Sequence, residues 1–205
     1  MQRLLSLRLF ADFHDFKGVF ILKNKLSKID SVVLDAVTKL HSKTNNVLVH
    51  LITMLGNAGV IWWIMSVPFF ITRHYRYIGF NILVAMLFGW LIGEVIIKNI
   101  VGRTRPSELL EQDELIIKPR HSSFPSGHTT TSFAVAMALI LNCRIIIWLP
   151  GLVIAALISF SRMYLRVHYC TDVCGGIAIG LCCGVLSKFA TEAVRLIPIM
   201  EIILG

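Results

Sequence analysis

The chain has 205 residues, of which 56% are hydrophobic and only 16% charged, and its mean hydropathy is +0.73. A soluble domain of this size cannot hide so much apolar surface in its core, so the composition excludes a soluble globular protein and assigns the excess to a bilayer. The formal charge of +8, from 20 Lys and Arg against 12 Asp and Glu, is spread over loops and the N-terminal region. Without a dense basic block it excludes a nucleic-acid-binding tail and favours anionic, phosphate-rich headgroups as partners.

In chain order, residues 1–10 alternate leucine with Arg3 and Arg8 and lack the uninterrupted apolar centre of a signal peptide. Charges interrupt every apolar run through residue 46, while Ile29, Val32, Val33, Ala36, Val37 and Leu40 recur at helical spacing. Residues 1–46 are therefore expected to hold a short amphipathic helix in the headgroup plane, not a span. Residues 46–72 carry no Lys, Arg, Asp or Glu, long enough to cross about 30 Å of hydrocarbon at about 1.5 Å per residue. The basic turn Arg73-His74-Tyr75-Arg76 ends this run, and residues 77–100 form a second span, polar only at Asn81, Glu94, Lys98 and Asn99. A polar loop with Pro106, Pro119 and Pro125 occupies 101–125. Apolar segments 127–142 and 145–160 follow, divided by Asn142-Cys143-Arg144, and a short loop over 161–171 leads to a last apolar stretch at 173–186. Lys188 can snorkel from its end, and the tail to Gly205 is amphipathic. The expected fold is all-α: one domain over residues 1–205, a polytopic transmembrane helix bundle of about five spans with an N-terminal interfacial helix.

The five cysteines, Cys143, Cys170, Cys174, Cys182 and Cys183, match no zinc spacing and read as packing residues. Neither a metal nor another cofactor is expected.

Counting crossings brings the end of the second span, the 101–125 loop and the 161–171 loop to one face of the membrane. Three polar strings meet there. The first, KNIVGRTRP, holds Lys98, Arg103, Arg105 and Pro106. The second is Pro125-Ser126-Gly127-His128 at a helix start, and the third, SRMYLRVHYCTD, holds Ser161, Arg162, His168 and Asp172. Fixed cations with hydroxyl and backbone donors, and no carboxylate cluster, describe a phosphate cradle. Ser126-Gly127 at a helix N-terminus adds free N–H groups and the positive end of the helix dipole. His168 and Asp172, four apart, would share a helix face. A carboxylate on one imidazole nitrogen sets the tautomer and leaves the other nitrogen as a nucleophile. His128, on another helix, suits a general acid for the leaving oxygen and then a base for water.

These strings resemble the three signatures of the type-2 phosphatidic acid phosphatase and vanadium haloperoxidase superfamily, KxxxxxxRP, PSGH and SRxxxxxHxxxD, each matched at full spacing over residues 98–172. The apolar flanks resemble the membrane branch of that superfamily. The resemblance implies a metal-free phosphatase in which His168 attacks phosphorus to form a phosphohistidine, Asp172 orients it, and His128 serves the leaving group and then water. It further implies that Lys98, Arg105, Ser126, Gly127 and Arg162 hold the phosphoryl oxygens. Many relatives have six spans, whereas residues 1–28 are too charged to supply an extra one.

Blander roles compete at several positions. Lys98 can pair with Glu94 one turn earlier, and Arg103, outside the fixed motif positions, can meet a headgroup or solvent equally well. Arg166, Lys118, Arg120 and His121 read as solvated loop charges, and His14, His41, His50 and His74 as non-catalytic. The positive-inside rule puts the site in the cytoplasm, because Arg103, Arg105, Lys118, Arg120, Arg162 and Arg166 outnumber Arg73, Arg76 and Arg144 on the opposite face. Arg105 and Arg162 belong to the site, however, and the resemblance implies an extracytoplasmic one in a cell membrane. The expected partner is a lipid phosphate: phosphatidylglycerol phosphate, phosphatidic acid, undecaprenyl diphosphate or a lipid A phosphate. A lipid phosphotransferase using the same phosphohistidine, or a non-enzymatic membrane scaffold, are the other classes compatible with the chain; a soluble vanadate haloperoxidase is disfavoured by the apolar runs.

Overall fold

The computed structural model describes residues 17–109 and 122–197. The expectations for residues 1–10, for His14, for Lys118, Arg120 and His121 and for the tail beyond 197 fall outside them. Among the described residues there are helices and no strands. The helices are α1 (Lys17–Thr38), α2 (Lys43–Gly56), α3 (Val60–Ile71), α4 (Arg76–Trp90), α5 (Gly127–Asn142), α6 (Ile145–Tyr164) and α7 (Cys170–Arg195).

Among the described residues four stretches are long and apolar enough to cross a membrane: Lys43–Ile71, Arg73–Val101, Ile145–Tyr164 and Cys170–Arg195. The helix α5 has 16 residues, ten of them buried, and contacts α4, α6 and α7. At about 24 Å it is shorter than the hydrocarbon thickness, but a helix sheathed by protein need not match the bilayer. It is the central post of the bundle. The lipid-facing character lies on its neighbours, where Leu48, Leu51, Ile64, Ile71, Ile146 and Phe189 are all exposed.

Residues 46–72 are not one continuous helix, as their uniform apolarity suggested. A short 3-10 turn, Asn57–Gly59, divides α2 from α3, with Ala58 at φ 50° and Gly59 at φ 68°. Hydropathy is blind to this break, because backbone dihedrals and not polarity create it. The second span also departs from a regular helix: Leu91–Ile97 is π-helical before one last α-turn, Lys98–Val101. Such wide turns rotate the side chains that follow and recur at functional sites.

The helices α5 and α7 run in the same direction and approach closely because α7 presents glycine every fourth residue. A Cβ on Gly180 would lie 2.5 Å from the Thr130 carbonyl, and one on Gly176 3.0 Å from the Ser126 carbonyl. Small residues at this spacing permit backbone-to-backbone packing where lipid supplies no hydrophobic drive between helices. As a result both helices begin at the same end of the bundle. At the other end a buried polar network ties three helices together. Asn81 Nδ2 donates to Ser187 Oγ (3.2 Å) and Thr191 Oγ1 (3.0 Å), and Asn142 Nδ2 donates to Asn81 Oδ1 (3.0 Å).

The expected interfacial helix corresponds to α1, 22 residues long and absent from the membrane-length set. Ile29 and Val32 are exposed, while Val37 packs with Val49, Tyr164, Leu165 and Val167. His41, just beyond α1, sits 2.9 Å through Nε2 from the Tyr164 carbonyl, a structural contact.

Candidate active site

All eight residues singled out for phosphate chemistry gather at the end of the bundle where α5 and α7 start and α6 finishes. Lys98 follows the π-helical stretch, Arg105 lies in the extended segment after it, and Arg162 is in the last turn of α6. Each of these cations is at most 7% exposed. Buried charges persist only when paired or serving a ligand, so their partners decide what they can do.

Lys98 Nζ donates to both oxygens of Glu94, at 2.6 and 2.7 Å, the i,i+4 pair that was the bland alternative. The Glu94 carboxylate also lies against Gly127, so closely that a Cβ there would run into it. An anion thus rests between the lysine and the N-terminus of α5, the place the helix dipole favours. Arg105 Nη1 donates to the Val167 carbonyl (3.0 Å) and stands 3.4 Å from His168 Nε2, while Nη2 donates to the Ser122 carbonyl (3.2 Å). Arg162 Nη1 donates to Thr53 Oγ1 (2.5 Å), and its buried Nε makes no hydrogen bond. Ser126 caps α5 and is wholly buried, its hydroxyl accepting from Thr129 Oγ1 at 3.0 Å.

His168 is not on a helix with Asp172. It lies in the loop joining α6 to α7, two residues before α7 begins, and Asp172 is in the first turn of that helix. The loop is pinned by the His168 amide donating to the Arg162 carbonyl at 3.2 Å. Asp172 still faces the ring, because its Oδ2 caps the helix by accepting from the Tyr169 amide (2.8 Å) and stands 3.6 Å from His168 Nδ1. At that distance Nδ1 makes no hydrogen bond, and among the described residues it has no other partner. The geometry suits a ring with its proton on Nδ1, next to the carboxylate, and its lone pair on Nε2, next to Arg105. Burial pushes the His168 pKa down to about 4, with Arg105 and Arg162 acting in the same direction and Asp172 opposing them.

On α5, His128 Nε2 is 2.9 Å from Asn57 Oδ1. The break between α2 and α3 delivers that amide, so the irregular turn in the first span has a place in the site.

Sequence reasoning missed Asn57, Thr53 and above all the surroundings of Arg103. Arg103, 30% exposed, is engaged by protein partners and not left to solvent or a headgroup alone. Its Nη1 donates to Asp172 Oδ1 (2.5 Å) and Thr171 Oγ1 (2.7 Å), its Nη2 donates to Asp30 Oδ2 (2.7 Å), and its guanidinium stacks 4.2 Å from the centre of the Tyr169 ring. Asp30, on α1, also accepts from the Thr171 amide (2.9 Å) and hydroxyl (2.7 Å). Only the arginine two positions before Arg105 hinted at this, and its partner lies 73 residues away. Among the described residues no group of three His, Cys, Asp or Glu side chains could hold a metal.

Beside Glu94, Gly127 and His128 a cavity of about 720 Å³ opens between α3, α4 and α5, walled by Trp63, Leu87, Trp90 and Met86. It joins a mainly apolar chamber to the charged end of the bundle.

The chain is similar to an undecaprenyl-diphosphatase of Sulfolobus acidocaldarius, 30% identical over 121 residues that cover 58% of each chain. It is also similar to phosphatidylglycerophosphatase B of Bacillus subtilis, 25% identical over 186 residues, or 84% of this chain and 88% of that one. The match to the first of these, and the match to undecaprenyl-diphosphatase BcrC of Bacillus subtilis, each span less than two thirds of the relative's length. The crystal structure of LpxE from Aquifex aeolicus superposes with a TM-score of 0.67 at 25% identity, covering 77% of this chain and 93% of that one. The profile described as PAP2 superfamily matches residues 78–194, more than half of the chain and the whole segment that carries the three strings, and the protein therefore belongs to the PAP2 superfamily.

Proposed function

We propose that this protein is a multi-pass membrane phosphatase that hydrolyses the phosphomonoester or diphosphate of a lipid through a phosphohistidine on His168. The observation that carries the reading is the setting of one imidazole, buried to 2% exposure, with Asp172 on its Nδ1 side and Arg105 on its Nε2 side. Nε2 attacks phosphorus and the bond to the lipid oxygen breaks, with His128 giving that oxygen a proton. Water then attacks the phosphohistidine, His128 takes its proton, the P–N bond breaks, and phosphate leaves. Lys98, Arg105, Arg162 and the N-terminus of α5 at Ser126 and Gly127 stabilise the charge on the equatorial oxygens, each donor contributing on the order of a hundredfold in rate. The site lies within residues 98–172 of a single domain spanning 1–205.

The apolar cavity beside His128 suits the hydrocarbon of a lipid whose phosphate lies at the rim. Relatives are named for undecaprenyl diphosphate, lipid A and phosphatidylglycerophosphate, so these lipids and phosphatidic acid are the substrates to try. A cell membrane with the site facing outward agrees with the family resemblance. Transfer of the phosphoryl group to a second lipid would use the same first step, and a scaffold would need none of it. A screen of purified protein across lipid mono- and diphosphates, scored for released phosphate and for phosphate moved to a labelled lipid, separates the three. No release and no transfer on any lipid would overturn the enzyme reading.

Two further results are expected here. The His168 base must be neutral to attack, and its depressed pKa of about 4 keeps it neutral at pH 5 to 8. The acid limb of kcat/KM should therefore fall nearer pH 4 than the ordinary imidazole value of about 6.5. A limb centred near 6.5 would mean a solvated ring. Second, the substrate phosphoryl group must displace Glu94 from Lys98. Glu94→Gln should let orthovanadate inhibit several-fold more tightly, since removing a competing anion leaves the lysine for the incoming one. Weaker inhibition would mean that Glu94 only orients Lys98.

A further inference from the structure

Asp30 lies on α1, outside the segment that matches the family profile, yet it is only 2% exposed. Every hydrogen bond to its carboxylate comes from groups next to the candidate nucleophile. It accepts from Arg103 Nη2 and from the amide and hydroxyl of Thr171, the residue preceding Asp172. Arg103 in turn donates through its other nitrogen to Asp172 Oδ1. Asp172 thus shares one oxygen with an arginine and turns the other toward His168.

Charge balance gives this chain a consequence beyond docking. Arg103 and Asp172 alone would be neutral as a pair, and His168 would then face the cations Arg105 and Arg162 with the Asp172 charge largely offset by its arginine. Phosphorylation of Nε2 makes the ring a cation if Nδ1 keeps its proton, and a neutral pair there would do little to offset the two arginines. With Asp30 included, the cluster of two carboxylates and one guanidinium carries one net negative charge, while Asp172 is still held by a two-point arginine contact.

Resting on the phosphohistidine reading above, we propose that Asp30 is a positioning residue of the reaction. By accepting from Arg103 it cancels the charge that the arginine brings to the Asp172 carboxylate, which makes α1 part of the catalytic apparatus. It acts at one remove and touches no substrate.

The test compares Asp30→Asn, Arg103→Gln and the double variant in the full-length protein, by phosphate release from a lipid phosphate, with wild type and His168→Ala alongside. Asparagine keeps an oxygen for the Thr171 amide, so α1 stays docked. Asp30→Asn should lower kcat about tenfold with little change in KM, and the double variant, which restores one net negative charge, should recover most of that loss. Arg103→Gln leaves two negative charges beside His168 and should move the acid limb of kcat/KM to higher pH; a loss of folded protein scales that profile without moving it. Wild-type kcat in Asp30→Asn overturns the proposal. So does a double variant no faster than Asp30→Asn, whatever its melting temperature, because Asp30 would then be an anchor only. If wild type itself releases no more phosphate than His168→Ala, the nucleophile assignment fails first and this inference falls with it.

Discussion

His168→Ala should reduce phosphate release by at least about a thousandfold, to the assay background, while the purified protein keeps its detergent melting temperature. The large effect follows from covalent catalysis: without Nε2 there is no acceptor for the phosphoryl group, and the surrounding cations can only bind the substrate. The fold should tolerate the change, because the ring makes no hydrogen bond through Nδ1 and the loop is held by its backbone, the His168 amide donating to Arg162. Substrate or vanadate should still bind, since Lys98, Arg105 and Arg162 are untouched. An active His168→Ala protein would end the mechanism. Lost activity together with lost vanadate binding would instead indicate a collapsed cradle and call for His168→Gln.

His128→Ala should be slower by about 10² to 10⁴-fold on a lipid alkoxide, the usual range for removing a general acid or base. The loss should depend on the leaving group, which distinguishes His128 from a residue that merely binds phosphate. An aryl phosphate, whose leaving oxygen needs no proton, should still phosphorylate His168. Water would then lack its base, so the acid-labile, base-stable phosphoenzyme should accumulate and be visible by 31P NMR or intact-mass analysis. Equal loss on alkyl and aryl phosphates, with no phosphoenzyme, would remove His128 from both proton transfers. Asn57, 2.9 Å from His128 Nε2, sets the orientation from which these transfers start.

On the proposed reading the charged rim takes the phosphate and the apolar cavity takes the hydrocarbon, so neither variant selects among lipids. The cavity of about 720 Å³ lies between α3, α4 and α5 and reaches the rim at Glu94, Gly127 and His128, so discrimination among lipids should respond to Trp63, Trp90 and Leu87 with the rim left intact.

The amino-acid sequence by itself determined the bilayer as solvent, the all-helical architecture and the eight residues proposed for the site, which the structure brings to one end of the bundle. Each follows from a property that is local in the chain: apolar run length, proline and glycine at helix ends, and short strings of cations, hydroxyls and imidazoles at fixed spacing. Tertiary structure alone decided what those residues face. That Asn57 reaches His128 through a dihedral break in an apolar run, and that Asp30 closes on Arg103, are matters of which helix ends converge. The close approach of α5 and α7 at Gly176 and Gly180 sets that convergence. Apolar periodicity records which face of a helix is hidden, whereas the partner of a buried charge is chosen by packing across many residues, and it is that choice which gives a string of fixed spacing a defined charge.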